Sequence, residues 1–240
     1  LEPAHLRCAS LPVTGLAKNA RDPAILDEEL TCLQFCRPET AAPLVTWLIY
    51  PCHPEVLWDD NPHITADYPH PLRRTVEAVT GAPCLFLSGA LGGMMTPDVS
   101  EHSFAEADRI GHALACAGLD ALGPVAPLPV DSLEYRRHEF TISMTNPLFH
   151  MASQAGLLPN LVDDTGAITT EAGLLKLGPA WLFGVPGELL PALGLAFKAE
   201  MHQAGAAIAA VTGLTNDELG YILPNEDFVY PDNPFEPGAH

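Results

Sequence analysis

The sequence predicts an α/β fold with a mixed, largely parallel β-sheet core flanked by helices on both faces, and three short apolar runs carry that prediction. Residues 44–50 (LVTWLIY), 84–87 (CLFL) and 181–185 (WLFGV) are continuously apolar rather than alternating, the pattern of strands buried on both faces. Segments with helical spacing lie between them, and strands that alternate with helices build a sheet covered on both sides.

In chain order, the run at 44–50 stops at Pro51, and residues 71–80 read as a helix. The run at 84–87 leads into Gly89-Ala90-Leu91-Gly92-Gly93, where the backbone must turn tightly or approach something closely. Ser103 and Glu106 form a capping box ahead of Ala107, Ile110, Leu114 and Ala117, whose three-and-four spacing marks one buried helical face. Residues 133–144 alternate near their end through Phe140, Ile142 and Met144, as a half-exposed strand does. Asn146-Pro147 then supplies an N-cap and a first helical residue for a short helix up to Gly156. Pro186-Gly187 turns the 181–185 strand into a long apolar stretch with helical spacing, from Glu188 to about Ala204. Residues 206–211 read as a further strand, and the Pro-rich tail at 231–237 as loop or linker. One domain over residues 1–240 is expected, and part of a larger domain fits the length equally.

Thirty acidic residues against eleven basic ones give a net charge of −19, which repels phosphate backbones and excludes nucleic acid as a partner. No basic cluster exceeds Arg73-Arg74 or Arg136-Arg137. The same charge opposes docking on anionic membranes, so a lipid substrate would be drawn by apolar contact. Gly and Pro break the uncharged runs before the roughly 20 residues a bilayer span requires, so no transmembrane segment is expected. Six cysteines are too few and too scattered for a disulfide scaffold, and the Cys32-x-x-x-Cys36 spacing does not suit a zinc ribbon. This usage fits reduced thiols and a cytoplasmic location. The chain opens at Leu1 with neither Met nor a signal-peptide pattern, the mark of a start that was processed or removed, or of missing upstream residues.

Three potential metal ligands share one structural position. His53 follows the 44–50 strand, Glu188 follows the 181–185 strand, and Tyr221 lies in the loop after 206–211. In open α/β sheets ligands bind beyond the carboxyl ends of the strands, so parallel strands would let the three converge. Glu188 would also open a helix, where a carboxylate serves equally well as a cap. The other histidines show no H-E-x-x-H spacing. Ser88 and Thr96 flank the glycines without a G-x-S-x-G elbow, and Gly89-x-x-Gly92-Gly93 is not a dinucleotide fingerprint.

Four ordered motifs add a family resemblance that extends from about Arg21 to Tyr230. Tyr50-Pro51-Cys52-His53-Pro54-Glu55-Val56-Leu57, with Asp60-Asn61 and then Ile64-Thr65-Ala66-Asp67-Tyr68-Pro69, resembles the His-Pro-Thr segment and downstream Ser-Ala-Asp stretch of neutral/alkaline ceramidases. Residues 84–92 resemble the strand and glycine turn before that family's Gly-Asp-x-Ser-Pro motif. Val185-Pro186-Gly187-Glu188 resembles its Pro-Gly-Glu motif, and residues 212–228 resemble its Ala-Asn-x-Tyr-x-x-Tyr segment. The resemblance implies the C-terminal part of the catalytic domain of a zinc hydrolase that cleaves N-acyl amide bonds. It implies zinc (Zn2+) held by His53, Glu188 and Tyr221, with Tyr221 also stabilising the developing oxyanion. The substrate would be ceramide or another N-acyl amide or lipid. Catalytic zinc typically keeps nitrogen and oxygen ligands and one position for water, whose pKa it lowers. The family also leans towards secretion, against the cysteine usage.

Two departures stand out. The family's other histidine ligand lies upstream of the His-Pro-Thr segment, and the only earlier histidine here is His5. An upstream segment of the same precursor is therefore an expected partner. At the family's nucleophile this chain reads Gly92-Gly93-Met94-Met95-Thr96-Pro97, without the acid. A one-residue insertion would put Thr96 on the serine, whereas strict register puts Met95 there. Thr96 is thus a candidate nucleophile or substrate contact beside activated water. The same departures support an alternative, a catalytically silent relative that binds a ligand or partner; a metal-free structural domain would leave the matching His53, Glu188 and Tyr221 to chance.

Overall fold

Side-chain alternation in the central strands explains a two-sheet architecture. The computed structural model describes residues 2–21, 24–157, 163 and 166–228, so the tail at 231–237 lies outside the described residues. The chain forms β1 (His5–Pro12), β2 (Ala17–Asn19), β3 (Glu29–Cys36), β4 (Pro43–Tyr50), α1 (Pro69–Thr80), β5 (Cys84–Ser88), β6 (Met95–Pro97) and α2 (Phe104–Leu122). It continues through β7 (Leu128–Pro129), β8 (Leu133–Ser143), α3 (Pro147–Gln154), β9 (Ala167–Leu177), β10 (Ala180–Gly184), β11 (Glu188–Leu189), α4 (Pro191–Gln203), β12 (Ile208–Thr212) and β13 (Tyr221–Ile222). A single 3-10 turn follows at Asn225–Asp227.

The first large sheet has the order β5-β4-β3-β1-β7 and the second β12-β10-β9-β8, with two-stranded pairs β11-β13 and β2-β6 beside them. Leu30, Cys32, Leu48 and Tyr50 point from the first sheet onto Leu72, Val76, Ile110 and Leu114 of α1 and α2. Leu33 and Ile49, one residue out of phase, point the other way onto Leu177, Leu182 and Ala210 of the second sheet. Ala209 and Val211 of that sheet face outward again, onto Met201 and Phe197 of α4. The result is helices, sheet, sheet, helix. Strands β4, β10 and β12 are therefore enclosed on both faces, as their uninterrupted apolar runs require.

The α/β class and mixed sheets agree with expectation, but "largely parallel" needs correction. The parallel pairings are β4 with β5, β10 with β12 and β11 with β13. Every other pairing among the described residues is antiparallel. The helices also cover the outer faces of two stacked sheets rather than both faces of one.

The helix termini follow their signals. Ser103 caps α2 by accepting from the Glu106 N–H at 3.3 Å. The Glu106 carboxylate turns to Arg109 instead of closing the box, and that hydrogen bond lowers its pKa. Asn146 caps α3, on which no residue is buried. The helix expected from Glu188 begins only at Pro191. All six cysteines are free, and burial pushes the Cys32 and Cys84 thiols up to about 12.

A buried ion cluster ties α4 to the start of β3. Lys198, only 8% exposed, sets its Nζ 2.7 Å from Asp27 Oδ2 and 3.3 Å from Glu29 Oε1. Removing one partner from a buried pair strands the other charge in a poorly polarisable interior. Asp27→Ala should destabilise the protein by about 3 kcal/mol in urea unfolding, and Asp27→Leu combined with Lys198→Met should recover most of that loss.

Candidate functional site

Loops from the carboxyl ends of strands in both large sheets meet through main-chain hydrogen bonds. The Gly89 N–H donates to the Tyr50 carbonyl (3.1 Å), joining the ends of β5 and β4. The Gly213 N–H donates to the Ser88 carbonyl (3.1 Å), carrying the end of β12 onto the first sheet. Gly92 donates to the Leu189 carbonyl (2.9 Å), and Glu188 donates to the Gly220 carbonyl (2.9 Å). These approaches need glycine. A Cβ on Gly92 would sit 2.3 Å from the Glu188 carbonyl oxygen, and one on Gly213 would sit 2.6 Å from the Gly89 oxygen. The glycine stretch at 89–93 is thus a close-approach segment as well as a turn.

His53 leaves the end of β4 through a braced turn. Its N–H donates to the Met95 carbonyl (2.8 Å), and the buried Tyr68 hydroxyl donates to the Cys52 carbonyl (2.7 Å). The Asp67 carboxylate accepts the Leu57 and Tyr68 N–H groups, closing the loop that follows. Glu188 opens β11, in register with Tyr221 on β13. That corrects its expected place at a helix N-terminus: Leu189-Leu190 continues the strand pairing, and Pro191 takes the first helical position.

The structure brings the two expected ligands His53 and Glu188 face to face. His53 Nε2 lies 3.4 Å from Glu188 Oε2, with side chains 20% and 22% exposed. This is close enough for a charge contact, but the alignment makes no hydrogen bond, and both atoms are buried without a hydrogen-bond partner. Burial raises the pKa of Glu188, with the nearby acids Glu218 and Glu55 adding to the effect and His53 opposing it. Tyr221, 39% exposed, lies in the same neighbourhood. Burial and then the Glu188 charge raise its pKa, while Arg21, over its ring at 5.3 Å, acts the other way.

Thr96 follows Met95, whose carbonyl accepts the His53 N–H. It is 8% exposed in β6, paired with Lys18 of β2, and its side chain makes no hydrogen bond with His53, Glu188 or Tyr221. Met95 is fully buried in the core under α1 and α2. The side chain that reaches Tyr221 from this segment is Met94, whose Sδ lies 4.0 Å from the phenolic oxygen, on a backbone with φ of 68°. Sequence reasoning did not single out Met94, Arg21 or Glu55. Arg21 and Met94 reach the site only through the fold, whereas Glu55 stands two residues after His53.

Imidazole nitrogen, carboxylate oxygen and phenol oxygen are all zinc-binding donors. Two buried polar atoms aimed at one another without a hydrogen bond are the arrangement an ion between them would complete. Among the described residues, no group of three or more His, Cys, Asp or Glu side chains is placed to hold a metal. Tyr221, in register with Glu188, adds a phenol oxygen to the neighbourhood of this pair.

No protein-family model and no curated protein sequence matches the chain. Its fold is similar to the crystal structure of neutral ceramidase from Pseudomonas aeruginosa, with a TM-score of 0.70 and 15% identity over 92% of this chain and 46% of that one. A ceramidase complexed with C2 is similar at a TM-score of 0.71 and 14% identity, over 92% of this chain and 48% of that one. The chain spans about half the length of these structures, and the likeness is one of fold.

Gly92→Ala should destabilise the protein by about 2 kcal/mol, because backbone on both sides of the contact leaves nothing to yield. Gly123, at the end of α2 in ordinary helical conformation, is the control, and Gly123→Ala should stay within about 0.5 kcal/mol of the parent in the same urea titration.

Proposed function

We propose that this chain carries part of the catalytic centre of a zinc-dependent hydrolase of N-acyl amide bonds, ceramidase-like, acting on ceramide or another N-acyl substrate. The supporting observation is the buried pair His53 Nε2 and Glu188 Oε2, brought together at strand ends in a ceramidase-like fold with neither atom hydrogen bonded. His53, Glu188 and Tyr221 are the residues that would hold zinc. When bound, zinc supplies Lewis acidity that polarises an amide carbonyl and makes water nucleophilic near neutral pH.

The chain's own residues do the rest of the work in this reading. The bond from the His53 N–H to the Met95 carbonyl fixes where the imidazole leaves the backbone. The Glu188 carboxylate sits where its negative charge is poorly solvated, which strengthens its attraction to a cation. The Tyr221 phenol, in register with Glu188, is placed to donate a hydrogen bond to negative charge developing on the carbonyl oxygen. Water is the attacking group in this reading. Thr96 contributes through its strand, which holds the Met95 carbonyl against His53.

A second reading, a catalytically silent ligand- or partner-binding relative, is favoured by one observation: the Met94 thioether, not a hydroxyl or an acid, faces the Tyr221 hydroxyl.

Elemental analysis of the purified protein, with fatty-acid release from N-acyl amides measured in parallel, separates the two. The hydrolase reading expects about one zinc per chain, lost in His53→Ala together with at least a 100-fold drop in release. Zinc and activity both unchanged in His53→Ala would overturn it, and a parent with neither supports the silent relative.

A further inference from the structure

Between β8 and β9 lies α3, mounted the opposite way from an ordinary surface helix. β8 and β9 stay paired from His138 with Ala172 to Ser143 with Ala167, beyond the 173–177 part of β9 that pairs with β10. α3 follows that end of the ladder. Leu148, Met151, Ala152 and Ala155 recur at three-and-four spacing along one side, with Phe149 at the border, and His150, Ser153 and Gln154 occupy the other side. The polar side is the one held to the protein. His150 Nε2 lies 2.6 Å from the Met144 carbonyl oxygen and donates to it, and a Cβ on Gly166 would come within 2.9 Å of the same imidazole. The apolar side faces out: Leu148, Phe149, Met151 and Leu157 are 39%, 40%, 60% and 74% exposed, and no residue of α3 is buried.

A surface helix normally turns its apolar stripe onto the core, because burying that stripe is what holds the helix in place. Here the stripe meets water, and two features narrow what fits it. The first is charge. No Asp, Glu, Lys or Arg occurs from residue 140 to residue 162, the longest such run in a chain of net charge −19, so the region stripped of charge is the one that carries the exposed stripe. An uncharged apolar element can enter the headgroup boundary of a bilayer without desolvating an ion. The second is size. Even at the roughly 200 Å² that an aromatic side chain buries, four side chains exposed to these fractions fall short of the ~800 Å² per partner of a stable protein interface. Insertion into a lipid surface needs no such area, since each apolar side chain contributes separately. With eight residues, α3 is too short to cross a bilayer and would lie along its surface.

We propose that α3 docks the protein on an electrically neutral lipid surface, with Leu148, Phe149 and Met151 entering the leaflet and His150 holding the helix to the end of the β8–β9 ladder. The net charge selects against anionic lipid, so attachment depends on apolar contact and not on salt. The inference requires neither zinc nor turnover and stands or falls separately from the hydrolase reading.

Co-sedimentation of the purified protein with phosphatidylcholine vesicles, beside vesicles of phosphatidylglycerol, tests it. The parent should partition onto phosphatidylcholine at low and high salt alike, and less onto phosphatidylglycerol at low salt. Phe149→Glu and Met151→Glu should each lower partitioning at least about tenfold. Both should keep the parental circular dichroism and unfolding midpoint, since neither side chain is buried. Val79→Glu, at an apolar position of α1 that is 68% exposed, should leave partitioning unchanged. A parent that does not partition, or a loss in Val79→Glu as large as in Phe149→Glu, overturns the inference. So does a dimer in analytical ultracentrifugation that Phe149→Glu and Met151→Glu convert to monomer, because the stripe then belongs to a second copy of the chain.

Discussion

The hydrogen bond from the Gly92 N–H to the Leu189 carbonyl, 2.9 Å long, joins the segment after the first sheet to the segment that carries Glu188. Gly213 on Ser88 and Gly89 on Tyr50 continue the same seam between strand ends. His53 and Glu188 leave different sheets, so they face each other only because this seam brings the sheet ends to backbone contact. The seam tolerates no side chain at Gly92 or Gly213. Polar main-chain groups buried at such a junction must be paired, and here they are paired with each other. Core packing then locks the sheets behind it, one layer of helices on each outer face.

The strands legible in the sequence are those with an unbroken apolar run, together with the half-exposed β8, whose alternation at Phe140 and Ile142 shows its two faces. β4, β5, β10 and β12 contain apolar runs, and they form the parallel pairs of the two large sheets. β1, β3 and β9 were not legible, and they supply most of the antiparallel pairing. β3 is almost wholly buried yet carries Thr31 and Gln34, and Gln34 is accommodated by hydrogen bonds to Thr46 and Arg7. Satisfied polar groups of this kind interrupt an apolar pattern without interrupting a strand. Overlooking those strands made the sheet look more parallel than it is. At Glu188 the error was local, since Leu189-Leu190 fits either period until Pro191 sets the helix start.

At the site, motif order and the strand-end rule point to His53, Glu188 and Tyr221, and the structure sets His53 against Glu188 and pairs Glu188 in register with Tyr221. What they did not reveal was the chemistry contributed by neighbours. Whether Met94, Met95 or Thr96 faces the site depends on a backbone with positive φ at Gly93 and Met94, which no periodicity encodes. Glu55 was visible in the sequence, but not that the fold buries its Oε1 without a hydrogen-bond partner. The site as a whole is rich in acid, consistent with the charge of the chain.

The second sheet ends at β8, whose far side has no partner strand among the described residues. An uncovered row of main-chain donors and acceptors along an eleven-residue strand is a template on which another chain can polymerise. Leu133 and Tyr135, both exposed, would strengthen such an attachment. Glu134, Arg136, Arg137, His138 and Glu139 stud the same strand, with Arg137 anchored to Glu171 at 2.9 Å. Pairing a second copy in parallel register would set each of these charges against its own counterpart and strip their water. Charges of this kind on an exposed edge strand oppose its pairing with another strand.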